Sequence, residues 1–546
     1  MSKTLDITVR RNDSATPPDH HVFATNEPAK GWSLYLPSWS PAPGPTRAAK
    51  EPTELRSSRS STSSLSSLSK RTFTSKKEDH RDEITGFRNP WPSWHKATKF
   101  EVWQSLEWGE DTDPCIDLAA SHIKVPVTTG LSSGSQSARD KPLSRQQQAD
   151  ALLRVEAPDF TYDIAKQRIK STWLGHAGSL LQLPPLAGSS RPFRILFDPI
   201  FSMRCSPSQV AGPIRSYPPP CTVEDLPEVD VVTISHSHYD HLDYDTIMTF
   251  WKHNRATLRF LVPLGNKKWF VECGIDADRV TELDWWERAQ FAPLQSPDQA
   301  QGQSIEVTCT PSQHNSGRGL DTNETLWCSW YLTHPSASTN DRPYRVYFGG
   351  DTGYQFHDSP GWPPKPPKSP AERAQLAKTI ASQVDNDDSS AQAKHPVCPA
   401  FKEIRERLGV PHLLFLPIAV GATYDFFRSF APVPDSINPI PRHAQGVTAH
   451  NHMPSWDAVR VLNVMTADSD ASSSAVRDEE DGPPVAIAVH WGTFVTEPVE
   501  VLATLGQLQW ACEAHGVDFV TSLEERQVKD VKASFIALNH GQSVAL

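Results

Sequence analysis

The sequence predicts an α/β fold built in layers, and three features point to it. Short apolar runs bounded by Gly, Pro and Asp begin near residue 158 and alternate with helix-period stretches. Histidines and aspartates fall just after several of those runs, at strand ends where side chains from different strands can converge. Polar stretches flank and interrupt the alternation without destroying it.

Taken in chain order, strands are expected at RILFDPI (194–200), VDVVTISHSH (229–238), LRFLVPL (258–264), SIEVTCT (304–310), WCSWYLT (327–333), YRVYFGGD (344–351), HLLFLPIAV (412–420) and VAIAVHWG (485–492). Helices are expected at 243–253, 371–382, 400–408, 455–466 and 498–515. Residues 1–84 read as a disordered Ser/Pro-rich tail, and 85–546 as one catalytic-sized domain in which order begins at FRNPWPSWH (87–95). Within that domain 108–148, 359–399 and 467–483 read as loop insertions, which a surface tolerates without disturbing a core.

Composition narrows the function classes. Hydrophobic residues are 38% of the 546 and 48 are prolines, as for a sizeable core diluted by unstructured chain. A net charge of −11 argues against a general nucleic-acid footprint. The stretch 46–77 carries eight Lys/Arg against two acids, and reads either as a solvated tail or as a patch touching anionic membrane, where each basic residue adds about 1 kcal/mol. The eight cysteines include no CxxC pair, so reduced thiols and an intracellular location are expected. The N-terminus does not read as a signal peptide, and no apolar run approaches the ~20 residues that span a bilayer. The expected location is therefore cytoplasmic or peripheral to a membrane.

Chemistry concentrates in His236-Ser237-His238-Tyr239-Asp240-His241, directly after an apolar strand. On extended backbone His236 and His238 share a side and can share a metal, and a following turn can set Asp240 and His241 beside it for a second. Imidazole nitrogen and carboxylate oxygen suit zinc. His314, Asp351 and His490 each follow another apolar run and are the natural additional ligands.

The segments FRNPWPSWH, STWLGHAGSLLQL (171–183), LFDPIFSMRCSP (196–207), GPIRSYPPP (212–220), SHSHYDHLD (235–243), ELDWWE (282–287), PSQHNSGRG (311–319), FGGDTGY (348–354), LPIAVGATY (416–424) and HWGTF (490–494) occur in the order of one family. Together they resemble the N-acylphosphatidylethanolamine-hydrolysing phospholipases D of the metallo-β-lactamase superfamily. The resemblance implies an αββα sandwich and two zinc ions: His236, His238 and His314 on one, Asp240, His241 and His490 on the other, Asp351 bridging. It implies hydrolysis of N-acylphosphatidylethanolamine to N-acylethanolamine and phosphatidic acid by a hydroxide held between the zincs, with Asp351 and Asp240 in catalytic roles. His452 in HMPSWDAV matches a family histidine near the centre, as a phosphate contact or proton donor; alternatively it is a helix-start histidine in a surface loop.

Other residues carry two readings each. His176 in WLGHAG supports the metal ligands or packs in the core. Arg204 and Arg318 meet phosphate or form structural ion pairs. Trp91, Trp94, Trp285 and Trp286 anchor in a membrane interface or are buried. The competing function is a soluble hydrolase of the same fold acting on a lactone, thioester or phosphorylated sugar, and a non-catalytic metal-stabilised binding protein is a third. The expected partner is a phospholipid substrate with peripheral membrane contact; oligomeric state is not legible.

Overall fold

The computed structural model describes residues 6–12, 16–23, 80–109, 111–121, 143–166, 168–186, 189–292, 304–335, 343–359, 361–383, 394–419, 437–443, 445–467, 482–494, 498–525 and 532–546. Two large sheets lie face to face among them. The wider runs, in spatial order, Asp6–Arg10, Arg288–Ala292, Ile305–Thr310, Ser329–His334, Tyr344–Phe348, Leu413–Pro417, Val485–Val489, Ser534–Ile536, Asp518–Val520. The narrower runs Val280–Leu283, Arg259–Pro263, Val231–Thr233, Phe193–Phe197, Gly178–Leu183, Lys170–Gly175, Ser543–Ala545.

Alternation along the narrower sheet explains the layers. Leu181, Ile195, Val231 and Leu261 turn inward to the central core, while Leu180, Leu196, Val232 and Phe260 turn outward. The outward set is covered by Ile247, Phe250 and Trp251 of the helix Tyr244–Asn254. Between the sheets the Phe197 ring stacks on Phe348 at 4.6 Å and meets Phe415 at 5.7 Å. Burying each such ring contributes roughly 1.5–3 kcal/mol. On the far face of the wider sheet, Ser455–Thr466 packs against Leu413–Pro417, and Ala400–Leu408 and Pro498–His515 pack in turn against that helix. Helices, sheet, sheet, helix: the αββα sandwich expected from sequence is the fold.

Strand direction gathers the chemistry at one edge. Tyr344–Phe348, Leu413–Pro417 and Val485–Val489 are mutually parallel, with Val346 opposite Leu413 and Leu413 opposite Val485. Ile305–Thr310 runs the same way, two antiparallel steps removed. Phe193–Phe197 and Val231–Thr233 are parallel in the other sheet. The residues following all these strands therefore have a common destination.

Several polar stretches are more structured than their composition implies. Asp6–Arg10 and His21–Phe23, inside the expected tail, are strands; the first extends the wider sheet by pairing with Arg288–Ala292, its Ile7 and Val9 packed on the core. The remainder of that tail, with the basic stretch 46–77, lies outside the described residues. In 108–148, Cys115–Ala120 is a helix with Cys115, Ile116 and Ala119 buried. It sits so close to Pro498–His515 that a Cβ on Gly506 would stand 1.8 Å from the Cys115 carbonyl oxygen, so only glycine fits there. In 359–399, Pro370–Gln383 is a helix, as its periodicity predicts. Residues 122–142, 384–393 and 468–481 of the three insertions, and 420–424 of LPIAVGATY, lie outside the description. No described helix is long and apolar enough to cross a membrane.

Candidate metal centre

The strand Val231–Thr233 ends before the hexapeptide, and the chain then closes a turn in which the His241 and Leu242 N–H groups donate to the His238 carbonyl at 3.0 and 2.8 Å. That turn, rather than extended strand, delivers His236, His238, Asp240 and His241 to one place. His236 Nε2 lies 2.8 Å from His238 Nδ1, and His314 Nε2 lies 3.2 and 3.3 Å from these two atoms.

The outer nitrogens of these rings are committed elsewhere, which fixes the tautomers. His238 Nε2 donates to the Gly317 carbonyl at 3.1 Å and His314 Nδ1 to the Asn451 carbonyl at 3.0 Å. The Ser235 hydroxyl donates to Asp198 Oδ2 at 2.5 Å and so accepts from His236 Nδ1 at 2.8 Å. His241 Nδ1 donates to the same Asp198 oxygen at 2.7 Å. The inner nitrogen of each ring is left bearing a lone pair.

Asp351 joins two donor groups. Its Oδ2 lies 3.8 Å from both His236 Nε2 and His314 Nε2 and 3.1 Å from His241 Nε2, while Oδ1 lies 3.0 Å from His490 Nε2. Asp240 Oδ2 stands 3.6 Å from His241 Nε2 and 3.5 Å from His490 Nε2. Both Asp351 oxygens, His241 Nε2 and His490 Nε2 are buried without a hydrogen-bond partner. Buried polar atoms are ordinarily satisfied. A ring of unsatisfied lone pairs aimed at shared points is what cation ligands require, so the residues fit a divalent metal pair.

Electrostatics agrees. Burial, with neighbouring imidazoles, holds His236 well below its ordinary pKa, and burial with Arg318 does the same for His238. Burial alone would raise the Asp351 carboxyl, but His241, His490 and His452 hold it well below the carboxylate range. Opposed by burial, Asp351 and Asp240 push His490 up to about 9. A cation would replace those protons.

His452 lies at the centre, not in an outlying loop: its Nδ1 is 3.6 Å from Asp351 Oδ2 and its ring meets His314 edge-on at 4.8 Å. His176 Nε2 donates to Asp240 Oδ2 at 3.0 Å, and its carbonyl accepts from the His490 N–H at 2.9 Å. Arg318, about half exposed, reaches Asp240 Oδ1 at 3.7 Å. Arg204 turns back to the Gly212 carbonyl at 2.5 Å and serves its own loop. Trp285 is buried, with Trp91 stacked on it at 5.3 Å; Trp94 packs edge-on to His450 at 5.0 Å, and Trp286 lies under Arg407 at 4.1 Å.

Asp198 is the functional residue that sequence reasoning passed over, although it ends the run RILFD. It and two neighbours share a further mark: Asp198, His176 and His490 have φ of +37°, +51° and +59°. Non-glycine residues rarely hold such angles, and they do so where the surroundings enforce them.

Residues 193–360 match the model of the beta-lactamase superfamily domain. N-acyl-phosphatidylethanolamine-hydrolyzing phospholipase D 1 of Caenorhabditis elegans is 39% identical over 204 residues, which is 37% of this chain and 50% of the worm protein. Over these residues the chain is similar to the metallo-β-lactamase superfamily and to N-acylphosphatidylethanolamine-hydrolysing phospholipases D. The mitochondrial enzyme of that type from Saccharomyces cerevisiae is 34% identical over 191 residues, 35% of this chain and 36% of the yeast protein. An uncharacterized Mycobacterium tuberculosis protein is 43% identical over 187 residues, 34% of this chain and 43% of its own length. The matches thus span half or less of each curated relative. The chain has a metallo-β-lactamase fold, with its His/Asp clusters at the sheet edge that its strand directions define.

Proposed function

We propose that this hydrolase is a phosphodiesterase of the phospholipase D type that converts N-acylphosphatidylethanolamine to N-acylethanolamine and phosphatidic acid. The observation that carries the reading is the donor arrangement around Asp351, whose two buried oxygens stand within 3.8 Å of His236 and His314 on one hand and His241 and His490 on the other, in a chain related to enzymes named for that hydrolysis. His236, His238 and His314 would hold one zinc, Asp240, His241 and His490 the other, and Asp351 both. Such a pair of cations activates water and neutralises charge on phosphoryl oxygens.

The chain's own residues do the rest. Asp198 and Ser235 fix the His236 and His241 rings, so the donors need not reorganise. His176 occupies one lone pair of Asp240 and orients the carboxylate. His452, beside Asp351, contacts a phosphoryl oxygen of the bound lipid or passes a proton to the departing alcohol. Arg318 at the rim attracts the phosphate. In the balanced step, the water oxygen bonds to phosphorus as the bond from phosphorus to the ethanolamine oxygen breaks, and one water proton ends on that oxygen.

Lipid is favoured over a soluble ester by exposed apolar side chains on the loops that carry Asp240 and Arg318 and on the loop 203–214. Leu320, two residues from Arg318, is 100% exposed, and Val210 89%; Met203, Ile214 and Tyr239 are exposed nearby in sequence to Arg204 and Asp240. Mass spectrometry of the products from dispersed N-acylphosphatidylethanolamine tests the reading: phosphatidic acid with N-acylethanolamine is expected. No cleavage, with turnover of a lactone, thioester or sugar phosphate instead, would replace it. Asp240→Ala or His490→Ala should lower turnover by at least ~100-fold while far-ultraviolet circular dichroism is unchanged.

A further inference from the structure

Away from the sheet edge, a second group of ligand-type side chains ties the N-terminal segment to the ELDWWE turn. His20 Nε2 lies 2.7 Å from Asp284 Oδ1, and His21 Nε2 lies 3.0 Å from Asp284 Oδ2. The side chains of His20, His21 and Asp284 are only 7%, 6% and 6% exposed.

Three features set this group apart from an ordinary hydrogen-bonded clasp. Consecutive residues at a strand start normally point to opposite faces. Here both rings reach one carboxylate and meet edge-on, 4.5 Å apart at 71°. Next, of the two rings His20 is in hydrogen-bond line with Asp284, whereas His21 Nε2, buried and 3.0 Å from Oδ2, lies outside that geometry. A nitrogen that near the carboxylate and off its hydrogen-bond line is placed to share a ligand with it. Finally, the set is rigidly held: the Trp285 N–H donates to Asp284 Oδ1 at 2.8 Å, and the Trp285 ring stacks on His20 at 4.2 Å. Burial lowers the His20 pKa, and the two histidines, against burial, hold the Asp284 carboxyl well below its usual range. Neutral imidazole and ionised carboxylate are the ligating forms.

We propose that His20, His21 and Asp284 form an additional metal site, distinct from the dinuclear centre, that takes one borderline divalent cation of the zinc type. Tetrahedral zinc with nitrogen and oxygen ligands spaces its donors about 3.3 Å apart, and one ligand atom from each of His20, His21 and Asp284 lies within 4.8 Å of the other two. A cavity of about 290 Å³ lined in part by His20, Trp91, Trp285 and Trp286 adjoins the site and can supply the fourth, water ligand. The cation fastens the N-terminal segment to a turn that also receives Arg11 on Glu287, at 2.7 Å, and Asn12 on the Trp285 carbonyl, at 2.7 Å. Its role is closure of the fold, not hydrolysis.

Diffraction from crystals of the full wild-type chain grown with zinc chloride, measured on both sides of the zinc absorption edge, tests the site directly. An anomalous peak between His20, His21 and Asp284 is expected. His21→Gln retains a donor for Asp284 but not the imidazole lone pair, so by elemental analysis it should hold about one zinc fewer per chain with hydrolysis unchanged. No anomalous peak there, or the same zinc content in His21→Gln as in wild type, overturns the proposal. Should His21→Gln not fold, the wild-type diffraction alone decides. Peaks at Asp351 without one at Asp284 would sink this site and leave the dinuclear centre standing; the reverse pattern would do the opposite.

Discussion

Asp198 makes no direct approach to the donor atoms' shared points, yet two of the rings depend on it. One of its oxygens takes the His241 Nδ1–H and the Ser235 hydroxyl, and the other takes the Ser235 N–H at 2.7 Å. Ser235 passes that constraint to His236. Removing such a partner typically weakens metal binding 10–100-fold. Asp198→Ala is therefore expected to raise the zinc dissociation constant by about 30-fold in a chelator competition, with activity restored by excess zinc. Unchanged affinity would show that the rings are held by packing alone. The residue was hard to find from sequence for a physical reason. An aspartate before proline at a strand end is ordinary turn chemistry, and only the fold shows which imidazoles it meets.

At the level of elements, the loop 235–241 and the loop 311–321 form one unit. The Gly317 N–H donates to the Ser237 hydroxyl at 3.1 Å, and Arg318 reaches Asp240. Leu320 projects from that unit, fully exposed. Leu320→Asp is expected to lower activity on phospholipid vesicles about tenfold, the loss of roughly 1.5–3 kcal/mol of apolar burial, while leaving activity on detergent-dispersed lipid nearly unchanged. Equal losses in both would place Leu320 in folding rather than at the bilayer. Element by element, the sequence was readable where apolar runs are bounded by clear punctuation: all eight strands and five helices expected from periodicity occur, including Leu413–Pro417 and Ser455–Thr466. It was less so at the margins. Lys170–Gly175 and Gly178–Leu183 are buried on both faces apart from Lys170, so no two-residue alternation marks them. Asp6–Arg10 lies in a stretch whose composition is dominated by Ser, Pro and charge. The hexapeptide was legible because four ligand-type residues in six are hard to explain blandly, and the turn expected before Asp240 is present, beginning already at His238.

Across the whole molecule, histidine is used as a buried neutral group well beyond the candidate metal centre. Burial, aided by nearby cationic groups, lowers His450 to about 3, His515 to about 4 and His540 to about 3. Unfolded, these rings protonate near 6.5. Between that value and about 4 the unfolded chain binds more protons than the folded one, so stability falls as pH falls. Each ring contributes a slope of up to about 1.4 kcal/mol per pH unit in that window. Urea unfolding at constant metal should show a midpoint that declines steadily from pH 7 to pH 4.5, and His540→Gln should flatten the decline. A pH-independent midpoint would mean these rings accept protons without penalty.

The strand Asp6–Arg10 caps the wider sheet at Arg288–Ala292. A chain shortened to begin at residue 85, the boundary that composition invites, would leave the backbone amides and carbonyls of 288–292 open along one side. An open edge of this kind recruits a strand from another molecule. The shortened protein should elute from size-exclusion chromatography with multi-angle light scattering as concentration-dependent higher species absent from the full chain. In this protein the charged five-residue strand Asp6–Arg10 takes the edge position in place of Arg288–Ala292, and expression work that trims it would expose the strand it covers.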